Sequence, residues 1–273
     1  MKNCIITGGT SGFGRHLSTV FCKYYNVYII SKSKKKYEYL KKKIKTKNKI
    51  YFIKCDLSNI KESNKVAKKI TKIKNLKIIV FNAGTIESDN SKTPKIYKTN
   101  YLSNFLIINY LIKKFHKKKG KLILINISST THKFSDFKNN LFSNSSLSFI
   151  KYANSKLMML LLFFKIQKDF NEKFLTMSFD PGWMKTNFGN NQKNILRKFL
   201  NFFRGIFAKG NSFQKNQAKK LAEITLKKSN YYCGKYFDFL GIKKPSTKVH
   251  NISLRNHLWK KTISLLAKNQ IYF

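Results

Sequence analysis

A tyrosine and a lysine four residues apart, Tyr152 and Lys156, are the residues in this sequence best suited to acid–base chemistry. In a helix this spacing puts both side chains on one face, so the ammonium can lie close to the phenol. A free phenol has a pKa of about 10, and a nearby positive charge favours phenolate and lowers that pKa. The pair therefore indicates a general acid/base for proton transfer at a carbonyl or an alcohol. The alternative is an ordinary helix surface with an extended lysine, because Lys and Tyr are abundant here.

A glycine-rich turn near the start of the chain could hold a phosphate group. A short apolar strand, Cys4–Thr7, runs directly into Gly8, Gly12 and Gly14, and an amphipathic helix follows. Glycines in this context permit positive φ and let the main chain approach a pyrophosphate, which the first turn of the helix then binds. A plain glycine-rich loop is the alternative, because the motif is short.

The residues after the second predicted strand, Val27–Ile30, indicate which dinucleotide fits. An acid at this place binds the ribose 2′-hydroxyl of NAD, whereas a basic residue accommodates the 2′-phosphate of NADP. This chain has Lys32, and the first acid is Glu38, inside the next predicted helix. The sequence therefore favours NADP(H) over NAD(H).

Polar and small residues follow the third and fourth predicted strands, Ile50–Ile53 and Leu76–Phe81. Asp56 can reach the adenine of a dinucleotide, or it can cap the helix that starts near Asn59. The sequence Asn82-Ala83-Gly84 would leave room for the cofactor ribose.

Strands that alternate with helices predict an α/β fold, a doubly wound, mostly parallel sheet of the Rossmann type with helices on both faces. The sequence contains no repeat and no linker, so we expect a single domain over residues 1–273. The later elements are predicted as helices at about Ile96–Phe115, Tyr152–Phe170 and Leu254–Leu266, and strands at Lys121–Ile127, Phe174–Phe179 and Lys235–Phe239.

The net charge of +45 is extreme, but its distribution does not favour a specific nucleic-acid site. All but four of the 56 basic residues are lysines, spread along almost the whole chain. A selected nucleic-acid surface uses arginine and concentrates its charge on one face. We interpret the lysines as a coding bias, although such a field attracts polyanions and anionic lipids nonspecifically.

The four cysteines show no metal-ligand spacing, so no metal site is expected. The N-terminus has no signal-peptide pattern, and the longest apolar run, Leu157–Phe164, is too short to span a bilayer. These features predict a cytoplasmic protein.

In order and spacing, the motifs resemble those of the short-chain dehydrogenase/reductase family, in particular its retinol dehydrogenase and protochlorophyllide reductase branch. The resemblance covers essentially the whole chain. It is carried by Thr7-Gly8-x-x-x-Gly12-x-Gly14, Asp56-Leu57, Asn82-Ala83-Gly84, Asn100-Tyr-Leu-Ser-Asn-Phe105-Leu, Ile127-Ser-Ser-Thr-Thr-His132-Lys, Tyr152-x-x-x-Lys156, Pro181-Gly182 and Gly234-Lys-Tyr-Phe.

This resemblance implies four catalytic residues. Tyr152 is the general acid/base, and Lys156 lowers its pKa and holds the nicotinamide ribose. Ser129 hydrogen-bonds the substrate oxygen, with Ser128 as the alternative, and Asn100 positions a water between Lys156 and solvent. The implied cofactor-binding residues are Thr7, Gly8, Thr10, Ser11, Gly12, Phe13, Gly14, Lys32, Asp56, Leu57, Asn82, Ala83, Gly84, Tyr152, Lys156, Pro181, Gly182 and, for the carboxamide, Thr186.

The segment at about 184–212 is expected to cover the substrate. Its apolar residues from Ile195 to Ile206 recur at helical spacing, with basic residues largely off that stripe. The pattern fits an ordinary lid helix. It also fits a lid that admits a lipophilic substrate and touches an anionic membrane at its periphery.

The predicted catalytic helix is apolar nearly all round from Leu157 to Phe164. One apolar face packs on the sheet, and a second one needs cover as well. In the resembling family this surface commonly pairs with a second subunit, which predicts a homodimer.

The main functional hypothesis is an NADP-dependent oxidoreductase that acts on a hydrophobic alcohol or carbonyl compound. One alternative is a Rossmann-derived binding or regulatory module without catalysis. Another is a light-dependent reductase of a pigment double bond, although the sequence lacks the cysteines expected around such a pigment.

Overall fold

The computed structural model describes residues 1–115, 120–137, 142, 147–182 and 210–271. One eight-stranded sheet runs through them in the order β3-β2-β1-β4-β5-β6-β7-β8. The strands are β1 (Asn3–Thr7), β2 (Asn26–Ser31), β3 (Ile50–Lys54), β4 (Leu76–Phe81), β5 (Leu122–Ile127), β6 (Phe174–Phe179), β7 (Lys235–Asp238) and β8 (Gly241–Ile242).

All neighbouring strands are parallel except β7 and β8, which are antiparallel. The prediction of a doubly wound, mostly parallel sheet is confirmed. The strand order reverses between β1 and β4, so the carboxyl ends of these two strands border the crevice where such sheets bind ligands. The edge strand β8 was not predicted, because two residues are too short for a periodicity signal.

Helices cover both faces of the sheet, and each face has its own hydrophobic core. The helices are α1 (Gly12–Phe21), α2 (Lys34–Lys43), α3 (Ile60–Ile70), α4 (Ser103–Phe115), α5 (Ser148–Asp169), α6 (Asn211–Lys227) and α7 (Ile252–Lys268). One core lies under α1, α2 and α6, and the other lies under α3, α4, α5 and α7. Strands buried on both faces have near-continuous apolar sequences, as these do.

The helix predicted over Ile96–Phe115 is interrupted. A short helical turn, Lys95–Tyr97, leads into a π-helical segment, Lys98–Leu102, before α4 begins. Wider π-helical turns release main-chain carbonyls from the regular ladder and are frequent at functional sites. The carbonyl of Asn100, inside this segment, accepts a hydrogen bond from the side chain of Asn104 at 2.9 Å.

The helix that carries Tyr152 begins one turn earlier than predicted, at Ser148, and its second apolar face is covered within the same chain. Leu258 and Leu266 of α7 are buried in the same core as the α5 side chains. The Tyr101 hydroxyl lies 2.9 Å from Thr262 Oγ1, which fixes α7 further. The uncovered face that the dimer prediction assumed is therefore not found in the described residues, and the homodimer itself stays a prediction.

No helix in the described part of the chain is long and apolar enough to cross a membrane.

Candidate active site

The glycine turn between β1 and α1 has positive φ angles and close backbone contacts that require glycine. Gly8 and Gly12 have φ of +66° and +52°, in the left-handed region that favours glycine. A Cβ on Gly14 would lie 2.3 Å from the carbonyl oxygen of Gly8 and 2.4 Å from Asn82 Nδ2. The turn can therefore approach a ligand closely while α1 packs against the strands.

Asn82 holds this turn from the neighbouring strand. Its Nδ2 donates to the carbonyls of Thr7, at 3.0 Å, and Gly8, at 3.3 Å. In return, the Thr7 hydroxyl accepts hydrogen bonds from the main-chain N–H groups of Asn82 and Ala83, both at 3.0 Å. The Asn82 side chain therefore fixes the backbone of the glycine turn next to the predicted cofactor crevice.

The ends of β2 and β3 form a polar region next to the glycine turn. Thr10 Oγ1 lies 2.9 Å from Ser31 Oγ, and Lys32 is exposed beside them. Burial opposes ionisation of Asp56, but hydrogen bonds from Ser58 and the charges of Lys32 and Lys95 hold the pKa of its carboxyl below the ordinary value.

The alternative interpretation of Asp56 as a helix cap is not what the structure shows. Asn59 caps α3, because its side chain accepts a hydrogen bond from Glu62 N at 3.1 Å. The carboxylate of Asp56 instead accepts from the N–H and the hydroxyl of Ser58, at 2.9 and 2.7 Å. Asp56 thus lies at the carboxyl end of the sheet, and its contact with the adenine of a dinucleotide stays a prediction.

Two of the predicted cofactor residues have side chains that are occupied elsewhere, so only their main chain could contact a cofactor. The side chains of Phe13 and Leu57 are buried in the two hydrophobic cores, and the Phe13 ring stacks on Phe179 at 6.3 Å. Ser11 precedes α1 without a side-chain capping bond, which leaves the first-turn N–H groups for a ligand. Thr186 and the predicted lid at about 184–212 lie outside the described residues, except for the last three positions of that range.

Tyr152 and Lys156 share one face of α5 at the carboxyl end of β5. Lys156 Nζ lies 5.6 Å from the centroid of the Tyr152 ring and donates to the Ile127 carbonyl at 2.8 Å. Burial lowers the pKa of Lys156 to about 8, although the charge of Asp180 acts in the opposite direction. The pKa of the Tyr152 phenol is raised by burial and by Asp180, while a hydrogen bond with Ser129 lowers it.

The direction of the Tyr152 shift is opposite to the sequence expectation. That expectation considered only the lysine on the same helix face. In the fold the phenol lies in a site that also holds a carboxylate, and both desolvation and that negative charge disfavour phenolate.

Of the two serines after β5, the geometry supports Ser129 as the partner of Tyr152. The Ser129 hydroxyl hydrogen-bonds Tyr152 and also accepts from Thr131 Oγ1 at 3.0 Å. The hydroxyl of Ser128 is buried and has no hydrogen-bond partner among the described residues.

Asn100 is fixed by three hydrogen bonds of its side chain. Its Oδ1 accepts from Thr85 N at 2.8 Å, and its Nδ2 donates to Thr85 O and to Ser155 Oγ, both at 2.9 Å. Ser155 in turn donates to the Tyr152 carbonyl at 2.7 Å. The side chain therefore ties the π-helical segment to the catalytic helix, and its Oδ1 keeps a second lone pair that can accept from a water.

His132 anchors the 3-10 turn Thr130–Phe134 that follows Ser129. Its Nε2 accepts a hydrogen bond from Ser246 N at 3.0 Å, so the proton is on Nδ1, which lies 2.7 Å from the Ser129 carbonyl. Burial lowers the pKa of this imidazole, which favours its neutral form. The loop before α7 thus fixes the main chain of Ser129.

Asp180 is a site residue that sequence reasoning missed. Its carboxylate is 4% exposed and accepts hydrogen bonds from Thr130 Oγ1 and the Tyr236 hydroxyl, both at 2.6 Å, and from Gly182 N at 2.8 Å. Asp180 is one of only 11 acids in the chain and directly follows a buried strand. The same signal that singled out Asp56 was therefore available for it.

Comparison with known proteins agrees with this geometry. The sequence profile of the family described as short chain dehydrogenase matches residues 2–195. Retinol dehydrogenase 13 from Mus musculus is 25% identical over 285 residues, which cover 97% of this chain and 84% of that protein. The 3-oxoacyl-[acyl-carrier-protein] reductase from Rickettsia typhi is 34% identical over 137 residues, covering 47% of this chain and 54% of the reductase.

A solved structure extends the similarity to the fold. A short-chain dehydrogenase from Sphingobium yanoikuyae, in complex with NADPH, superposes with a TM-score of 0.66 at 14% identity, covering 83% of this chain and 85% of that one. The chain belongs to the short-chain dehydrogenase/reductase family and resembles its retinol dehydrogenase branch.

Proposed function

We propose that this protein is an NADP-dependent oxidoreductase that moves a hydride between nicotinamide and a carbonyl or alcohol of a hydrophobic small molecule. The observation that carries the proposal is the convergence of Tyr152, Lys156 and Ser129 at the carboxyl ends of β5 and β6. Membership of the family supports an oxidoreductase. The choice of cofactor rests on Lys32, and the choice of substrate rests on exposed apolar side chains near Ser129 and Tyr152.

The crevice between β1 and β4 fits a dinucleotide. Gly14 packs against the carbonyl of Gly8 with no room for a Cβ, and the first-turn N–H groups of α1 have no side-chain cap from Ser11, so they can face a pyrophosphate. We assign the adenosine end to Asp56 and the nicotinamide end to Lys156 and the Pro181–Gly182 turn. The other proposed contacts are Thr7, Gly8, Thr10, Ser11, Gly12, Phe13, Lys32, Leu57, Asn82, Ala83, Gly84 and Tyr152, with Thr186 outside the described residues.

Preference for NADP(H) follows from Lys32. This lysine is exposed at the end of β2, next to the hydroxyls of Thr10 and Ser31, and its positive charge is felt at Asp56. A cation and two hydroxyls suit a 2′-phosphate, whereas a carboxylate at this place would repel one. The NADPH complex of the Sphingobium yanoikuyae relative supports the same choice.

The catalytic residues divide the chemistry at the substrate oxygen. When bound, the nicotinamide cofactor supplies or accepts the hydride at the substrate carbon. In the direction of reduction, Tyr152 donates its phenolic proton to the substrate oxygen while the Ser129 hydroxyl orients that oxygen. Lys156 supplies a positive charge that stabilises the phenolate left behind.

Exposed apolar side chains close to Ser129 and Tyr152 in the sequence support a hydrophobic substrate. Phe134, in the turn after Ser129, is 60% exposed, and Leu147, just before α5, is 79% exposed. The rings of Phe134 and Phe149 lie 6.0 Å apart, and Phe149 is three residues before Tyr152. Retinol, for which the mouse relative is named, is a hydrophobic alcohol of this kind.

Two partner proposals follow from the charge and the family. The +45 charge favours peripheral contact with anionic membranes, which binding to anionic vesicles at low salt would detect. Binding that is lost with neutral vesicles depends on charge, whereas binding that is kept indicates apolar insertion.

Homodimerisation, through a surface other than the covered face of α5, is tested by measuring the mass in solution.

The first test is titration with NADPH and, separately, NADH, followed by nicotinamide fluorescence at moderate salt. We expect NADPH to bind more tightly than NADH, and Lys32→Asp to reverse or abolish that preference. Lys41 is an exposed lysine late in α2, and Lys41→Asp makes the same change in net charge. This control variant should keep the preference for NADPH. Equal effects of the two variants would contradict the assignment of Lys32, and binding of neither nucleotide would favour the non-catalytic module.

The second test is NADPH-dependent reduction of hydrophobic aldehydes. Tyr152→Phe should lose nearly all activity, whereas Tyr24→Phe, half-exposed at the end of the loop after α1, should retain it. Retained activity in Tyr152→Phe would refute the proposed acid/base.

A further inference from the structure

A buried carboxylate with only neutral hydrogen-bond donors lies beside the catalytic pair. Asp180 accepts from Thr130, Tyr236 and Gly182, and none of these donors carries a positive charge. Moving a carboxylate out of water costs free energy unless hydrogen bonds and an opposite charge compensate. In the described part of the chain, the buried cation whose charge interacts with Asp180 is Lys156.

The three donors come from three parts of the site. Thr130 follows Ser129 in the 3-10 turn, Gly182 belongs to the turn after β6, and Tyr236 lies on β7. A single carboxylate therefore sets the distance between the segment that carries Ser129 and the Pro181–Gly182 turn. Burial and Asp180 both raise the pKa of the Tyr236 phenol, so it stays protonated and keeps donating.

We propose that Asp180 is a positioning residue: its carboxylate holds the Ser129 segment against the Pro181–Gly182 turn and places a negative charge near Lys156. The proposal rests on the proposed function, because it assigns Asp180 a part in that reaction. Lys156 is buried and donates to the carbonyl of Ile127, and Ile127 pairs across β5 and β6 with Phe179, the residue directly before Asp180. Neutralisation of Lys156 would remove the cation that stabilises phenolate at Tyr152.

The other titratable groups around Lys156 do not supply this charge. Tyr152, on the same helix, is kept neutral by a raised pKa. His132 is neutral in the tautomer that its two hydrogen bonds define, and Tyr236 is protonated. Among the residues that the structure describes, Asp180 is thus the anion whose charge acts on Lys156.

The charge is tested by a titration that needs no substrate. Lysine labelled with 13C at Cε is followed by NMR against pH, and the Lys156 signal is assigned by its loss in Lys156→Gln. We expect an inflection near pH 8 in the wild type and a downward shift on the order of one pH unit in Asp180→Asn. Asparagine has nearly the shape of aspartate. The hydroxyls of Thr130 and Tyr236 can rotate to accept hydrogen bonds from its Nδ2, so the contacts are kept.

The positioning part is tested by Thr130→Val, which keeps the charge and removes one donor. Its Lys156 inflection should stay at the wild-type pH, while kcat falls about tenfold through a displaced Ser129. The KM for NADPH should change little.

Results without these changes contradict the proposal. An unchanged inflection in Asp180→Asn removes the electrostatic part, and unchanged kcat in Thr130→Val removes the positioning part. If Asp180→Asn does not fold, Asp180→Ser takes its place, and failure of both shows that the carboxylate serves folding alone. If the wild type reduces no hydrophobic aldehyde, the proposed function fails, while the NMR titration still reports on Asp180.

Discussion

Substitution of Gly14 by alanine should both destabilise the protein and weaken dinucleotide binding. The added Cβ would lie 2.3 Å from the Gly8 carbonyl oxygen and 2.4 Å from Asn82 Nδ2. Contacts of a Cβ shorter than 3.0 Å are essentially never observed, so α1 or the turn has to move by about 0.7 Å. Because the nearest atom belongs to the main chain of Gly8, rotation of a side chain cannot relieve the clash.

Overpacking of this kind costs about 1–3 kcal/mol. Gly210→Ala is the matched control, because a Cβ there meets nothing within 4 Å and its φ of −72° suits alanine. We expect equilibrium urea unfolding, followed by circular dichroism, to give Gly14→Ala a lower free energy of unfolding by about 2 kcal/mol. NADPH binding should weaken in Gly14→Ala alone. Equal stability and affinity of the two variants would refute the close packing of the turn.

Three other predictions concern the catalytic helix α5 and the helix α7 that packs on it. Ser155→Ala removes the link between Asn100 and the Tyr152 carbonyl, so kcat for aldehyde reduction should fall about tenfold while KM changes little; an unchanged kcat would contradict a positioning role. Burial lowers the pKa of Lys156 from 10.5 to about 8, so the folded state binds fewer protons than the unfolded state between these values, and the stability contributed by Lys156 rises with pH there. The free energy of unfolding relative to Lys156→Met should therefore increase from pH 7.5 to pH 9.5, and parallel curves would disprove the shift. Leu258→Ala should cost about 2–5 kcal/mol in urea unfolding, since this side chain is 1% exposed, whereas Leu226→Ala, 41% exposed, should cost little.

The sheet was predictable because its information is local. Buried strands such as Ile78–Val80 are continuous apolar runs, and turn or polar residues end each of them. The glycine turn was predictable for the same reason, because the three glycines and their flanking strand and helix lie within about twenty residues.

The electrostatics of the site could not be predicted in this way. Asp180 meets Thr130 and Tyr236 only because β5, β6 and β7 are neighbours, and these three residues are far apart in the sequence. For the same reason the pKa of Tyr152 was predicted in the wrong direction. The lysine is a local neighbour on the helix, whereas the carboxylate comes from another strand.

The cover that α7 gives to α5 was also hidden from the sequence. Both helices have apolar faces, but the sequence does not show that these faces meet. The hydrogen bond that fixes α7 joins Thr262 to Tyr101 of the π-helical segment, 161 positions away. Without that pairing, a second subunit was the natural partner for the catalytic helix.

This cover also sets an order of events during synthesis on the ribosome. The catalytic helix ends at Asp169, but the helix that shields its apolar face starts only at Ile252. At about 5–20 residues per second, the ribosome takes several seconds to produce the intervening segment. During that interval Leu157–Phe164 lacks its permanent cover, so the nascent chain presents a surface that invites aggregation and chaperone binding. Catalytic competence therefore arrives late in translation, even though all four proposed catalytic residues are already made.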